Sequence, residues 1–409
     1  MYQLNQNVIY IKGFKNGAIY DFNSGKVFWV NEETCELMNK IINHADEFTE
    51  EEASYIHTLV DEKLYSVDYK PRQYTLEIDE AISLELAWLE ITQACNEKCL
   101  HCYQGEQHYS AKKVITTQKW KQIISELSRN SVKRVVVIGG EPCTHKDIIE
   151  ILQNLCFNKI NTTLFTNGTL LRDDLLNFII ENRDLVKVKV SLYGHNSIVH
   201  DRITTIKGSF DKLIHSISIL KTNHVTVDIA VVAMKENQEY LEDIRKFIID
   251  LGFKYSGYDV IRNVYGGNQN QHCPDKPEVL EKAKYSKPVF YTSKEQFLHN
   301  YNRNTCWYGK IAITETGDVL PCVFERNIVY GNVLENSIDE ILNSEGLKKH
   351  WFRNFSFIDQ CKDCEFRFAC KDCRPLGISV RGNLAEKNPR CLYNPHSGEW
   401  RKQEHGTEE

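Results

Sequence analysis

Apolar and polar residues alternate through residues 7–30, NVIYIKGFKNGAIYDFNSGKVFWV, and the alternation breaks at KNG and NSG. That pattern predicts three short strands joined by tight turns. The period then lengthens. In NEETCELMNKII, Cys35, Met38 and Ile42 recur on one helical face, and TEEEASYIHTLV opens with Thr49 and Glu52 spaced as a capping box ahead of Ile56, Leu59 and Val60. Together these elements predict a small α+β domain over residues 1–75. From 84 to 261 the chain alternates between β-rich runs and helical patterns. The strand candidates are LELAWLEIT, KRVVVIGG, NTTLFTNG, VKVKVSLYG, VTVDIAVVA and YSGYDVI, and the helices carry stripes such as Trp120, Ile123, Ile124 and Leu127, or Leu213, Ile217 and Leu220. Six strands separated by helices predict an α/β fold with parallel strands in a partial (βα)6 barrel, whose chemistry sits at the C-terminal ends of the strands. Residues 262–305 are polar and without a period, so they read as a connector. Residues 306–395 hold seven cysteines among short turns, and 396–409 read as a flexible tail.

Composition narrows the function classes. A net charge of −6, with both signs interspersed, lacks the basic stripe of a nucleic-acid binder. No apolar run approaches a membrane span, and the start, MYQLNQNVIYIKG, is not a secretory signal, so a cytoplasmic protein is expected. In that setting fourteen cysteines imply metal or redox chemistry rather than disulfides. Ten of them cluster; Cys35, Cys143, Cys156 and Cys273 are scattered and read as buried packing residues.

The first cluster, in ITQACNEKCLHCYQ, places Cys95, Cys99 and Cys102 directly after the first barrel strand. A closed zinc site needs four ligands, whereas three thiolates on a 4Fe-4S cluster leave one iron open to a small molecule. The Cys-x3-Cys-x2-Cys spacing resembles that of radical S-adenosylmethionine (radical SAM) enzymes, with His101 where that family usually has an aromatic. Gly139, Gly140, Glu141 and Pro142, ending the second strand, resemble the family's Gly-Gly-Glu-Pro segment, which holds the SAM amino group. The resemblance further implies that Ser191 contacts the ribose, and it makes Arg202 a candidate for the SAM carboxylate, an anion that a guanidinium suits. Asn167 and Gly168, in LFTNG, read as a turn. The implied barrel is of the TIM type, and the implied chemistry is a 5′-deoxyadenosyl radical that abstracts a substrate hydrogen.

The second cluster comprises Cys306, Cys322, Cys361, Cys364, Cys370, Cys373 and Cys391. It resembles the SPASM extension, which carries two auxiliary 4Fe-4S clusters, although Cys370 and Cys373 are separated by two residues where the family has three. By that resemblance Cys361, Cys364, Cys370 and Cys391 hold one cluster, and Cys306, Cys322 and Cys373 hold the other with one iron left over for a substrate thiolate, Cys273 or another protein group, or water. A pair of zinc ribbons is the alternative for the same spacing.

Residues 1–75 resemble the winged-helix-like leader-recognition element (RRE) of enzymes that mature ribosomally made peptides, where an extended leader adds a strand to a sheet edge. The helix NEETCELMNKII, with three glutamates and one lysine, opposes phosphate, which argues against DNA binding by this element. The combined resemblance implies a leader-dependent radical SAM/SPASM maturase of a precursor peptide, with an external electron donor such as a flavodoxin or ferredoxin. A thioether crosslink is the foremost product, with carbon–carbon crosslinking or epimerisation as alternatives. Sulfatase-type maturation fits less well, since Val323 stands where those enzymes have aspartate. A zinc-bearing, non-catalytic peptide-binding scaffold is the remaining reading. No catalytic acid or base is assigned.

Overall fold

Strand pairing follows the apolar runs almost one for one. The computed structural model describes residues 2–43, 47–67, 81–105, 114–262, 264, 270–283 and 291–400. Strands β1 (Tyr2–Leu4), β2 (Val8–Lys12), β3 (Gly17–Asp21) and β4 (Lys26–Val30) precede α1 (Glu32–Ile42), α2 (Glu50–Asp61) and β5 (Tyr65–Val67). The middle of the chain runs β6 (Leu86–Glu90), α3 (Thr117–Arg129), β7 (Arg134–Ile138), α4 (Ile148–Phe157), β8 (Asn161–Thr166), α5 (Asp173–Glu181) and β9 (Val186–Ser191). It continues with α6 (Ser197–Thr204), α7 (Ser209–Thr222), β10 (Val227–Ala230), β11 (Val232–Ala233), α8 (Leu241–Asp250), β12 (Asp259–Val260) and α9 (Pro277–Ala283). Then come α10 (Lys294–Asn302), β13 (Lys310–Ile313), β14 (Asp318–Leu320), β15 (Gly331–Asn332), α11 (Ile338–Leu342), α12 (Glu345–Trp351), α13 (Arg374–Arg381), β16 (Tyr393–Asn394) and β17 (Glu399–Trp400). None of the described helices is long and apolar enough to cross a membrane.

Two compact units result. One comprises the described residues of Ala81–Ala283 and Gly309–Lys349. Its strands β6 to β10 pair in parallel, neighbour to neighbour, and β11 pairs in parallel with β12. All six expected strands are present, the fifth interrupted at Val231 into β10 and β11. Helix α3 buries Trp120, Ile123, Ile124 and Leu127, as its stripe predicts, each such side chain contributing roughly 1.5–3 kcal/mol. The sheet also extends beyond the sequence expectation: β13 joins the outer edge of β6 in parallel, from Lys310 opposite Leu86 to Ile313 opposite Leu89, and β14 and β15 follow antiparallel.

The other unit comprises the described residues of Met1–Glu80, Lys284–Tyr308 and His350–Glu409. The expected meander is antiparallel β2–β3–β4, and every residue of β3 is buried because both faces are covered. On one face Ile19 packs with Cys35, Met38, Ile41, Ile56 and Leu59 of the two helices. Helix α2 starts with the predicted capping box of Thr49 and Glu52, but Ile42, expected in the buried stripe of α1, is 47% exposed, since the buried arc runs through Leu37, Met38 and Ile41. On the other face Ala18, Tyr20 and Val27 pack with Phe297 of α10 and with Phe366, Phe368 and Tyr393. The Tyr20 hydroxyl donates to Glu365 O at 2.8 Å, and Phe14 N–H to Asp363 O at 2.7 Å.

The compact units therefore cut across the boundaries read from sequence. The β2–β4 meander shares a core with the cysteine-rich segment, and the region read as a connector supplies α9 and α10, the latter with Phe297 fully buried. Residues 393–400, partly assigned to the tail, form the β16–β17 hairpin with Trp400 packed 4.7 Å from Tyr393; residues 401–409 lie outside the described residues.

Candidate functional site

The chain leaves β6 at Glu90 and enters the loop that carries Cys95, Cys99 and Cys102. The end of α6 holds that loop. A helix leaves its last carbonyls without intrahelical partners, and here Lys98 N–H bonds Thr204 O at 3.2 Å while Leu100 N–H bonds Ile203 O at 3.0 Å. Cys102 N–H turns back to Cys99 O at 3.1 Å. The three thiols act on one another electrostatically, and burial pushes each upward, Cys95 to about 12 and Cys99 further.

Gly139 and Gly140 lie against the start of the same loop. Gly140 N–H donates to Thr92 O and Glu141 N–H to Ala94 O, both at 2.8 Å. A Cβ on Gly139 would strike Thr92 O, and one on Gly140 would strike Gln93 O and Ala94 O, so this approach of backbone to backbone admits only glycine. Glu141 is 1% exposed. Its Oε1 accepts from Thr166 Oγ1 (2.6 Å) and Cys143 N–H (3.0 Å), and its Oε2 from Asn167 N–H (2.7 Å). An ionised carboxylate has about four acceptor positions, so the chain's own donors occupy most of this one. Pro142 begins a buried 3-10 turn. Asn167 takes the expected turn role, accepting from Thr169 N–H at 3.0 Å, and also donates to Asn96 Oδ1 of the cysteine loop at 2.9 Å.

Ser191 ends β9 and hydrogen-bonds Tyr193. Tyr193 stacks edge-on against His101, with ring centroids 4.7 Å apart. Burial, with a smaller push from the neighbouring His272, lowers His101 to about 4. Arg202 is exposed on α6, with Nη2 donating to Glu236 O at 2.5 Å. Sequence reasoning missed Glu97, which is 3% exposed and accepts from Ser209 Oγ and from Cys99 Sγ at 3.5 Å; burial pushes its carboxyl up to about 7. It also missed Glu90, 2% exposed, which pairs bidentately with Arg326 and accepts from Tyr103 Oη at 3.1 Å. Partners so distant in sequence leave no local signal.

In the other unit, burial pushes the thiols of Cys361, Cys364 and Cys370 upward, Cys370 to about 12, and the nearby Cys391 adds to each. Cys306 Sγ accepts from Arg374 N–H, beside Cys373, at 3.4 Å. Cys322 belongs to the first unit, after β14, and is buried. Among the described residues no three His, Cys, Asp or Glu side chains are already drawn together as a finished metal site. The donor chemistry nevertheless fits iron-sulfur clusters: soft thiols on short loops, made reluctant to ionise by burial, are the ones a multivalent metal centre must stabilise as thiolates.

Comparison with known proteins matches the same segments. The radical SAM superfamily model covers residues 89–248, and the iron-sulfur cluster-binding SPASM model covers 306–365, stopping before Cys370, Cys373 and Cys391. The antilisterial bacteriocin subtilosin biosynthesis protein AlbA of Bacillus subtilis (strain 168) is 29% identical over 304 residues, 72% of this chain and 68% of that protein. The AdoMet-dependent heme synthase of Methanosarcina barkeri (strain Fusaro / DSM 804) is 24% identical over 339 residues, 76% of this chain and 96% of its own. The crystal structure of Streptococcus suis SuiB bound to precursor peptide SuiA is similar with a TM-score of 0.58 at 15% identity, over 95% of this chain and 99% of that one, a likeness of fold. Both family models fall on the loops built above: the chain carries a radical SAM domain and an iron-sulfur cluster-binding SPASM domain, and it is an enzyme that uses S-adenosylmethionine and a 4Fe-4S cluster together with auxiliary clusters.

Proposed function

We propose that this enzyme matures a ribosomally synthesised precursor peptide by forming an intramolecular crosslink, a thioether from a cysteine sulfur to a carbon foremost. The observation that carries the reading is the N-terminal sheet, which the barrel does not need for its own closure. Among the described residues, β4 pairs with β3 on one side and on the other meets only the isolated bridge between Lys26 and Tyr291. An exposed edge of this kind accepts an extended segment through backbone hydrogen bonds. Beside it, Trp29 is 47% exposed and lines a cleft of about 270 Å³ with Lys15, Asn31, Glu32, Glu33 and Glu399. The leader docks there, and the similarity to a bacteriocin biosynthesis protein supports a peptide substrate.

Cys95, Cys99 and Cys102 hold the SAM-binding cluster, and Gly139, Gly140, Glu141, Pro142, Ser191, Arg202 and His101 surround SAM. When bound, the pair supplies a 5′-deoxyadenosyl radical that takes a hydrogen atom from the substrate. The protein's part is geometric. The two glycines let the second strand's turn close on the cysteine loop, and the half-buried ring of His101, packed on the buried ring of Tyr193, helps exclude water beside it. Cys361, Cys364, Cys370 and Cys391 hold one auxiliary cluster. Cys306, Cys322 and Cys373 hold the other, and a set of only three protein thiols supports the thioether because it leaves a position for a substrate thiolate. The reducing electron comes from an external donor, a flavodoxin or ferredoxin.

The test is incubation of the reconstituted enzyme with reductant, SAM and the precursor. The expected product has lost two hydrogens and one alkylatable thiol. Loss of two hydrogens with every thiol still alkylated would replace the thioether by a carbon–carbon bond. An unchanged mass alongside deoxyadenosine formation would overturn crosslinking in favour of epimerisation. A precursor without its leader is expected to go unmodified.

A further inference from the structure

The shortened interval between Cys370 and Cys373 places Asp372 and Arg374 on either side of Cys373. Both side chains are withdrawn from solvent, at 4% and 3% exposure, and Arg374 Nε donates to Asp372 Oδ2. Each is held again. Arg374 Nη1 donates to Leu384 O and Glu386 O, both at 2.9 Å, and Asn388 Nδ2 donates to Asp372 Oδ1 at 3.3 Å. The Arg374 backbone N–H points at Cys306 Sγ, 3.4 Å away. Among the described residues, Arg374 Nη2 has no hydrogen-bond partner. An ion pair removed from water seldom offsets its own desolvation, and an unsatisfied guanidinium nitrogen adds to that cost. Stability alone is therefore a poor reason for the pair. The two charges meet at Cys361 and diverge beyond it: that of Arg374 also acts on Cys306, and that of Asp372 on Cys370.

We propose that Arg374 and Asp372 set the reduction potentials of the auxiliary clusters in opposite senses, Arg374 raising those anchored at Cys306 and Cys361, and Asp372 lowering the one anchored at Cys361 and Cys370. Reduction adds one negative charge to a cluster. A fixed cation and an N–H directed at a ligand sulfur stabilise that charge, and a fixed carboxylate opposes it. Both residues act through the cysteines they flank, as positioning residues. The proposal rests on reading these cysteines as cluster ligands.

The experiment uses the full-length reconstituted enzyme. Iron and sulfide per chain are counted, and the auxiliary signals are followed by electron paramagnetic resonance during a redox titration, the SAM-binding cluster being recognised by its change on adding SAM. Arg374→Gln is expected to shift the auxiliary midpoints to more negative values, and Asp372→Asn to less negative values, with iron content unchanged. Arg374→Lys, which keeps the charge, stays near the wild type. If Arg374→Gln loses iron, Asp372→Asn and Arg374→Lys decide. Unchanged midpoints, shifts of the same sign in Arg374→Gln and Asp372→Asn, or loss of auxiliary iron in all three variants would overturn the proposal, the last by making the pair a scaffold. A wild-type enzyme with iron for the SAM-binding cluster alone would overturn the ligand assignment instead.

Discussion

His200 lies 1% exposed behind the cysteine loop, its Nδ1 accepting from Tyr193 N–H at 3.2 Å and its Nε2 3.4 Å from Ser209 Oγ. Burial lowers its pKa to about 4, against the opposing charge of Asp201. The unfolded chain takes up this proton near pH 6.5 and the folded chain only near 4. The contribution is thus complete above the unfolded value and is lost as pH falls through that window, on the order of 3 kcal/mol in all. Urea unfolding at pH 7 and pH 5 is expected to show a lower midpoint at pH 5, by an interval that shrinks in His200→Gln. Gly140 gives a second prediction at this scale. A methyl there meets the carbonyls of Gln93 and Ala94, which are backbone and cannot swing away. Gly140→Ala is expected to lower SAM cleavage, measured as deoxyadenosine, by about 10²-fold, the effect of a misplacement near 1 Å. The cysteine loop and the Gly-Gly-Glu-Pro turn were legible in sequence because each is a short contiguous motif. Glu97, His200 and Ser209 were not, since what marks them is burial by residues far along the chain.

Between elements, the C-terminal end of β6 is held by the salt bridge between Glu90 and Arg326, which also fixes Tyr103 beside Cys102. Arg326 follows β14 and Cys322, so two cysteine-bearing loops of one unit share this buried pair. Arg326→Met leaves a carboxylate buried without its counter-charge and is expected to cost about 3–5 kcal/mol in chemical denaturation. Adding Glu90→Gln is expected to recover a large part of that loss. The helices and strands of the barrel were readable because their stripes are long and strongly periodic. Strand β13 was not. Its four residues, KIAI, end in three that are fully buried, so they show no alternation to separate them from the turns around them. Helix α10 was missed for a related reason: among the polar residues of KEQFLHNYN, Phe297 is the one fully buried apolar side chain.

At the level of the molecule, three stretches far apart in sequence build one unit. Phe297 sits at their junction, edge-on to Tyr20 at 4.9 Å and to Phe368 at 5.1 Å. Phe297→Ala is expected to cost about 3–5 kcal/mol, and hydrogen exchange should show protection falling together in β3 and in residues 364–370. A loss confined to α10 would contradict a shared core. Reading along the chain divides a protein at changes of pattern, whereas cores form by contact, and nothing in the local sequence of residues 7–30 announces that Tyr20 will bond the carbonyl of Glu365.

That shared core bears on engineering. Exchanging the first 75 residues for the corresponding piece of a related enzyme would strip Phe297, Phe366, Phe368 and Tyr393 of the side chains they pack against. A working chimaera should therefore transplant the amino-terminal sheet and its carboxy-terminal counterpart as one graft, and leave the barrel as the host.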